Sequence, residues 1–257
     1  MKNLFTALLL AGAATTAHAQ TKISVGPRLG ANLSSFSTSG ANTGTTKNIF
    51  SGQFGAALDI NFGGFSFQPA LLYTQKGSEL NYNQTQSYSS GSGQYQYTSS
   101  ETVTIKATPR INYLEIPLNL VYTSASSGFQ VFAGPYLAFG VGGTMEYSYQ
   151  DTQVEKYGGS TNSSNTSQAG AVSIDFADKY PDPNSFSAPP ASIQFRKFDA
   201  GLNGGIGYRR GPVQAQLGYS LGLNNLIPND NKGQDVNYTA KNRSIQLAAT
   251  YFFDLSK

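Results

Sequence analysis

The chain has no cysteine and a single histidine, His18. Without cysteine there are no disulfides to staple a small scaffold and no thiol nucleophile. His18 falls in a segment read below as a leader. The rest of the chain therefore lacks the base of Ser-His-Asp and Cys-His systems and the usual ligand of zinc sites. Charge is also sparse: 17 Lys plus Arg and 14 Asp plus Glu give a net +3 over 257 residues. These charges are spread thinly, with no basic cluster of the kind a nucleic-acid partner requires. After the first residues, no apolar run reaches the roughly 18 residues of a membrane helix. Catalysis, metal or cofactor binding and nucleic-acid binding are accordingly not expected.

What is abundant is glycine (28) and Phe plus Tyr (16 each), the composition of a β-rich chain. The first residues read as an export signal. Lys2 gives a positive start, LFTALLLAGAA an apolar core too short to span a bilayer, and Ala17-His18-Ala19 a small-x-small cleavage site. The expected organisation is a signal peptide over 1–19 and one β domain over 20–257. No cysteine follows the leader for a lipid anchor, and no further domain is expected after the last strand.

From there the sequence alternates. In INYLEIPLNLVY (111–122) every second residue from Leu114 is large and apolar: Leu114, Ile116, Leu118, Leu120, Tyr122. This is the two-residue period of a strand with two unlike faces. Seven further runs repeat it, near 23–33, 50–60, 65–73, 129–141, 198–208, 213–223 and 245–253. None of the eight apolar faces carries a charge. The opposite faces are small, amide-rich and sparsely charged, as in Ser24, Gly26, Arg28, Gly30 and Asn32.

The connections alternate in length. NFGG (61–64), TSASSG (123–128) and RRGP (209–212) are short, whereas 34–49, 76–109, 143–196 and 225–241 are long and polar. Short turns at one end and long loops at the other, around an even number of strands, predict an all-β fold. The expected form is a single eight-stranded antiparallel transmembrane up-and-down β-barrel. A soluble barrel with an apolar interior would share the period. However, its solvated face would be rich in Lys and Glu, and here the polar face is not. Aromatics collect at both ends of the runs: Phe65, Tyr122, Phe129, Tyr208, Tyr251 and Phe253 by the short turns, and Phe50, Tyr73, Phe139, Phe198 and Tyr219 toward the long loops. They are expected as two interfacial belts.

Inside such a barrel the strand phases place Arg28, Asp59, Glu115 and Asp199, with Lys76, Arg209 and Arg243 at or near strand ends. A lumen charge network of Arg28, Asp59, Glu115, Asp199, Arg209 and Arg243 follows. An eight-stranded barrel is only wide enough for its own side chains, and buried charges must be paired. A structural plug is therefore favoured over an ion pathway, although many inward glycines leave some room. Glu115 is expected to face the lumen, since on the lipid side even a midplane Lys or Arg costs roughly 2–4 kcal/mol. Pro117, lacking a donor, is expected at a bulge or irregular rung, and the prolines at 27, 69 and 135 suggest similar breaks.

Two loop readings remain. SYSSGSGQYQYTSS (87–100) has the tyrosine-and-small-polar make-up of adaptable binding surfaces. A solvated extension of the third and fourth strands is favoured, because ETVTIK (101–106) also alternates. In 143–196, Asp175, Asp178 and Asp182 could form a calcium site, but their spacing fits no specific loop, and a mobile polar loop is expected.

Taken together, YLEIPLNLVY, FAGPYLAFGVGG (132–143), FDAGLNGGIGY (198–208), GYSLGLNNL (218–226) and LAATYFF (247–253) resemble the PorT-type outer-membrane β-barrel family of Bacteroidota. The resemblance implies an integral protein of the cell outer membrane, held in outer-membrane lipid. It also implies insertion by the outer-membrane assembly machinery, which reads a terminal aromatic strand such as Tyr251–Phe253; DLSK follows that strand here. The expected role is structural or surface-interacting, with a filled lumen and long extracellular loops. The alternatives are a small passive channel or an accessory subunit of a protein-secretion system, with an extracellular or secretion-system partner of unknown identity.

Overall fold

The computed structural model describes residues 21–40, 44–181 and 192–255. The leader assigned to 1–19 and Asp182 of the loop acids lie outside them. In chain order the strands are β1 (Lys22–Gly40), β2 (Thr45–Lys47), β3 (Ile49–Asn61), β4 (Phe65–Gly77), β5 (Glu79–Ser90), β6 (Tyr97–Thr123) and β7 (Phe129–Tyr157). They continue with β8 (Ser160–Phe176), β9 (Ser192–Phe195), β10 (Phe198–Arg210), β11 (Val213–Gly222), β12 (Tyr238–Tyr251) and β13 (Phe253–Asp254). Each of the eight alternating runs of the sequence lies in a strand of its own: β1, β3, β4, β6, β7, β10, β11 and β12, with β13 completing the last.

These eight pair antiparallel in a closed circuit. β1 lies between β3 and β12, and the row runs on through β4, β6, β7, β10 and β11 back to β12. The turns after β3, β6 and β10 are short and share one end with the start of β1. Gly211 closes the last of them at φ +59°, a left-handed conformation that glycine adopts without a Cβ penalty.

Side-chain phase follows the sequence pattern. Leu29, Phe54, Leu71, Leu202, Leu217 and Leu247 point out and are exposed. Ser24, Asn32, Gln53, Gln68, Gln130, Gln214 and Thr250 point in and are buried. Of the expected bulges or irregular rungs, Pro117 shows the irregular rung. Between Pro69↔Leu118 and Leu72↔Glu115 the β4–β6 ladder skips rungs but keeps its register past Pro117. Opposite Pro27 the ladder likewise passes from β12 to β13 with register unchanged. The register shift of the β6–β7 ladder lies instead between Asn112 and Tyr113. A missing N–H costs a rung without moving the chain.

The room that inward glycines were expected to leave is occupied. Gly205 and Gly218 are register partners, and a Cβ on either would lie 2.8 Å from Cζ of the inward ring of Phe132. A Cβ on Gly201 would lie 2.6 Å from the Tyr136 ring. Aromatic side chains from β7 thus fill the grooves made by glycines on β10 and β11.

The links 76–109 and 143–196 are mostly strand over their described residues, which corrects their reading as loops, whereas 225–241 becomes strand only from Tyr238. Glycine and small polar residues were read as loop formers, but β-pairing with a neighbour overrides that propensity. β1, β6 and β7 run past the apolar band, and β5 and β8 flank them, giving a protruding sheet in the order β5-β6-β7-β8. The 87–100 segment is a paired hairpin of β5 and β6 capped by a short 3-10 turn (Gly93–Tyr95), as the strand-extension reading expected. The segment 143–196, expected as a mobile loop, instead holds the end of β7, β8 and β9.

Replacing Gly218 by Val should destabilise the fold by about 1–3 kcal/mol through clash with Phe132. Adding Phe132→Leu should recover part of that loss. Urea midpoints in lipid vesicles for the two single variants and the double variant would show it; additive losses would place the strain elsewhere.

Candidate functional site

The inward charges gather in two tiers, near and far from the short turns. At the short-turn end, Arg209 of β10 ion-pairs with Asp59 of β3, and its guanidinium lies 4.7 Å from the Phe252 ring centroid. Asp59 also accepts from Gln68 Nε2 at 2.9 Å, and Gln68 and Gln214 exchange amide hydrogen bonds at 3.1 Å. Ser24 donates to Asp254 at 2.6 Å. On the short-turn side of this tier is a mouth of about 710 Å³ lined by residues including Lys22, Asn61, Thr123, Arg209 and Asp254.

The second tier is built on Lys76, which the sequence placed only at a strand end. Its Nζ is 2.5 Å from Glu115 Oε2, and both side chains are essentially fully buried. Lys76 Nζ also lies 4.3 Å from the Tyr136 ring centroid and 6.0 Å from that of Tyr113. Such placement over aromatic faces is favourable for a desolvated ammonium. Asp199 accepts from the Tyr136 hydroxyl at 3.0 Å and from Asn242 Nδ2 at 2.8 Å. Arg28 donates to Gln216 Oε1 at 2.7 Å. Glu115 therefore faces the interior, paired with Lys76.

Arg243 does not belong to this set. It shares the outward phase of β12 with Ile245 and Leu247, and opposes Ser35 and Leu221 on the neighbouring outward faces. Its expected place in the lumen network is thus corrected: near the strand end the apolar pattern that marks the outward phase fades, and with it the guide to which side a residue takes. The network is therefore Arg28, Asp59, Glu115, Asp199 and Arg209, with Lys76 as the missing member. Lys76 was legible in principle: it continues the inward phase of Ser66, Gln68, Ala70, Leu72 and Thr74 one turn of the pleat beyond Tyr73.

Above the second tier the interior turns apolar. Phe36, Ile111, Tyr113, Tyr136, Ala138, Ile174, Phe195, Leu226 and Ala240 form one buried cluster. Phe195 comes from β9 and Leu226 from the segment after β11, so chain from two long links folds inward over the ring. The backbone secures this closure: Arg196 N–H donates to Leu226 O at 2.7 Å and Leu226 N–H to Ala240 O at 2.8 Å. The interior was expected to be polar throughout. The period-2 pattern carries no information about a segment that enters the lumen from above.

The belt aromatics lie where the strand phases put them. Phe65, Tyr122, Phe129, Tyr208, Tyr251 and Phe253 are exposed near the short turns, as are Phe50, Phe139, Phe198 and Tyr219 toward the other end, while Tyr73 is half-buried. Phe65 packs at a tilt against Tyr122 (ring centroids 5.2 Å apart), Phe54 against Tyr73 (5.2 Å) and Phe139 against Phe198 (5.4 Å) across adjacent strands. In the protruding sheet, the Asn81 amide 2.8 Å from Glu79 holds that carboxyl below its ordinary value, and Lys47 acts the same way. Among the described residues, no three acidic or histidine side chains gather as a metal set.

Glu115→Gln removes the ion-pair partner of the buried Lys76 ammonium and should cost about 3–5 kcal/mol. Lys76→Met combined with Glu115→Leu should recover most of this, since apolar replacement of a buried pair is often neutral. Unfolding midpoints in vesicles measure both; equal losses in the single and double variants would mean the pair is not coupled.

A model of the outer membrane protein beta-barrel domain matches residues 18–228. No curated protein matches. Among solved structures, the attachment invasion locus protein Ail of Yersinia pestis is similar at 11% identity and a TM-score of 0.34, covering 91% of this chain and 99% of Ail. The translocator domain of the autotransporter NalP from Neisseria meningitidis follows at 8% identity and a TM-score of 0.26, covering 98% and 96%. The Pseudomonas putida toluene transporter TodX shares 9% identity at a TM-score of 0.19, covering 93% and 91%.

Proposed function

The chain belongs to the outer membrane protein beta-barrel domain family, and from that premise we propose that it is an eight-stranded transmembrane barrel with a side-chain-filled lumen and a structural or surface-interaction role. The observation that carries this reading is an inverted polarity. Leu29, Phe54, Leu71, Leu120, Val131, Leu202, Leu217 and Leu247 are exposed around all eight strands of the circuit, while amides and ion pairs are buried inside it. In water that outer face would be an aggregation surface far beyond the few hundred Å² a monomer tolerates. In lipid it is the face a barrel needs.

In this reading residues 1–19 are a cleaved export signal and the PorT-type resemblance gives the subfamily, within Bacteroidota. The assembly machinery inserts the chain, and lipid surrounds Leu29 through Leu247. The short turns face the periplasm and the protruding sheet faces outward. The role is assigned to that sheet rather than to the lumen because the apolar cluster of Phe36, Ile111, Phe195 and Leu226 closes the ring at its outer end. No catalytic step is assigned to the chain.

The test is planar-bilayer conductance of refolded 20–257, restricted to material with heat-modifiable gel mobility. Silent bilayers are expected. Discrete reproducible steps that change on neutralising Arg28 or Glu115 would establish the rival, a small passive channel. In parallel, Leu247→Arg should weaken insertion by roughly 2–4 kcal/mol; unchanged insertion of that variant would remove the membrane reading itself.

A further inference from the structure

The protruding sheet has two open edges. β5 pairs with β2 only over Glu79–Asn81, and β8 pairs with β9 only over Ser173–Phe176. Among the described residues, Tyr82–Ser90 of β5 and Ser160–Val172 of β8 have a strand neighbour on one side alone. A solvated edge presents a row of unpaired N–H and C=O groups, and proteins usually guard it with charge or proline. These edges are unguarded. YNQTQSYSS (82–90) and STNSSNTSQAGAV (160–172) contain no Lys, Arg, Asp, Glu or Pro. Beside these open spans the charges Glu101, Lys106, Glu146, Asp151, Glu155 and Lys156 lie on the two central strands, while Glu79 of β5 and Asp175 of β8 lie on the stretches already paired with β2 and β9.

The edges also match each other in height and direction. Stepping across the sheet in register, Tyr82 faces Ile105, then Tyr149, then Gln168; Ser90 faces Tyr97, then Tyr157, then Ser160. Tyr82–Ser90 and Ser160–Gln168 therefore span the same nine levels. β4 and β5 are both antiparallel to β6, so β5 runs away from the short turns, and β8, antiparallel to β7, runs toward them.

We propose that β8 of one copy pairs with β5 of a second copy in the same membrane, extending the sheet from molecule to molecule. This rests on the transmembrane reading, because the membrane gives every copy one orientation. Translation in its plane then brings a descending β8 beside an ascending β5 at equal height, which is antiparallel pairing. With no charge on either edge, no like charges meet. The contact is head-to-tail and does not close on itself, so it builds rows rather than dimers. Pairing of β8 with β8 would be parallel in one membrane, the slightly weaker ladder.

The absence of native cysteine makes the test direct. Gln86 and Ser164 lie at one level through Glu101 and Gln153. Within one chain they are three strand spacings, roughly 14 Å, apart, too far for a disulfide. The chain carrying Gln86→Cys and Ser164→Cys, reconstituted in phosphatidylethanolamine–phosphatidylglycerol vesicles and mildly oxidised, should give a ladder of cross-linked oligomers. A mixture of the two single variants should give dimers joining one of each. Adding Asn162→Lys and Thr166→Lys should lower the cross-linked yield at least tenfold, with heat-modifiable mobility retained. Absence of cross-links in inserted, heat-modifiable protein would overturn the proposal, as would equal dimerisation of Ser164→Cys alone. Protein that folds but stays out of the vesicles would instead overturn the transmembrane reading, and the common orientation with it.

Discussion

One pairing, β1 with β12, turns a row of eight strands into a circuit, and the rest of the molecule depends on that closure. An open sheet leaves two rows of backbone groups unpaired, each costing several kcal/mol in hydrocarbon. A closed one leaves none at membrane depth. Closure also divides side chains by phase into an outside and an inside, so strict alternation becomes two separate environments: an exposed apolar face with Leu29, Phe54 and Leu247, which the proposed transmembrane reading sets in lipid, and an enclosed polar interior for Arg28, Gln53 and Gln216. This is why prolines at 27, 69 and 117 are tolerated. They interrupt single rungs while the register on either side holds, and with it the phase of every residue beyond.

The interior then has to satisfy what alternation puts there. Amides fill most of it, exchanging hydrogen bonds across the ring as in Gln68 with Gln214 and Arg28 with Gln216. The full charges are handled in pairs, Asp59 with Arg209 and Glu115 with Lys76. Asp199 takes two neutral donors, Tyr136 and Asn242. Phe132 and Tyr136 occupy the grooves over glycines of β10 and β11. Such a core is specific rather than strongly stabilising, since desolvation offsets much of the Coulomb attraction of a buried pair. Its effect is to fix which strands meet, and to leave the lumen filled.

Beyond the ring the constraint is different. There the backbone can be hydrated, so strands are free to end in open edges, and the sheet of β5, β6, β7 and β8 does so on both sides. The small polar residues of these edges keep the surface soluble without charging it. The proposed contact role rests on this sheet: it is held above the band, with unguarded edges and a closed ring beneath.

The sequence by itself determined the eight strands, their alternation and the three short turns, because period 2 and turn chemistry are local properties. It also gave the inward phase of Arg28, Asp59, Glu115 and Asp199, since a residue's side of a strand follows from counting. It could not place Arg243 or weigh Lys76. Both lie where the apolar pattern fades, and their surroundings come from strands far away in the chain. Nor could it show that Phe195 and Leu226 fold back to close the ring, or that the polar links pair as an ordered sheet. Those outcomes depend on contacts between distant segments, whose free energy is set by packing and closure and leaves no periodic trace in the chain.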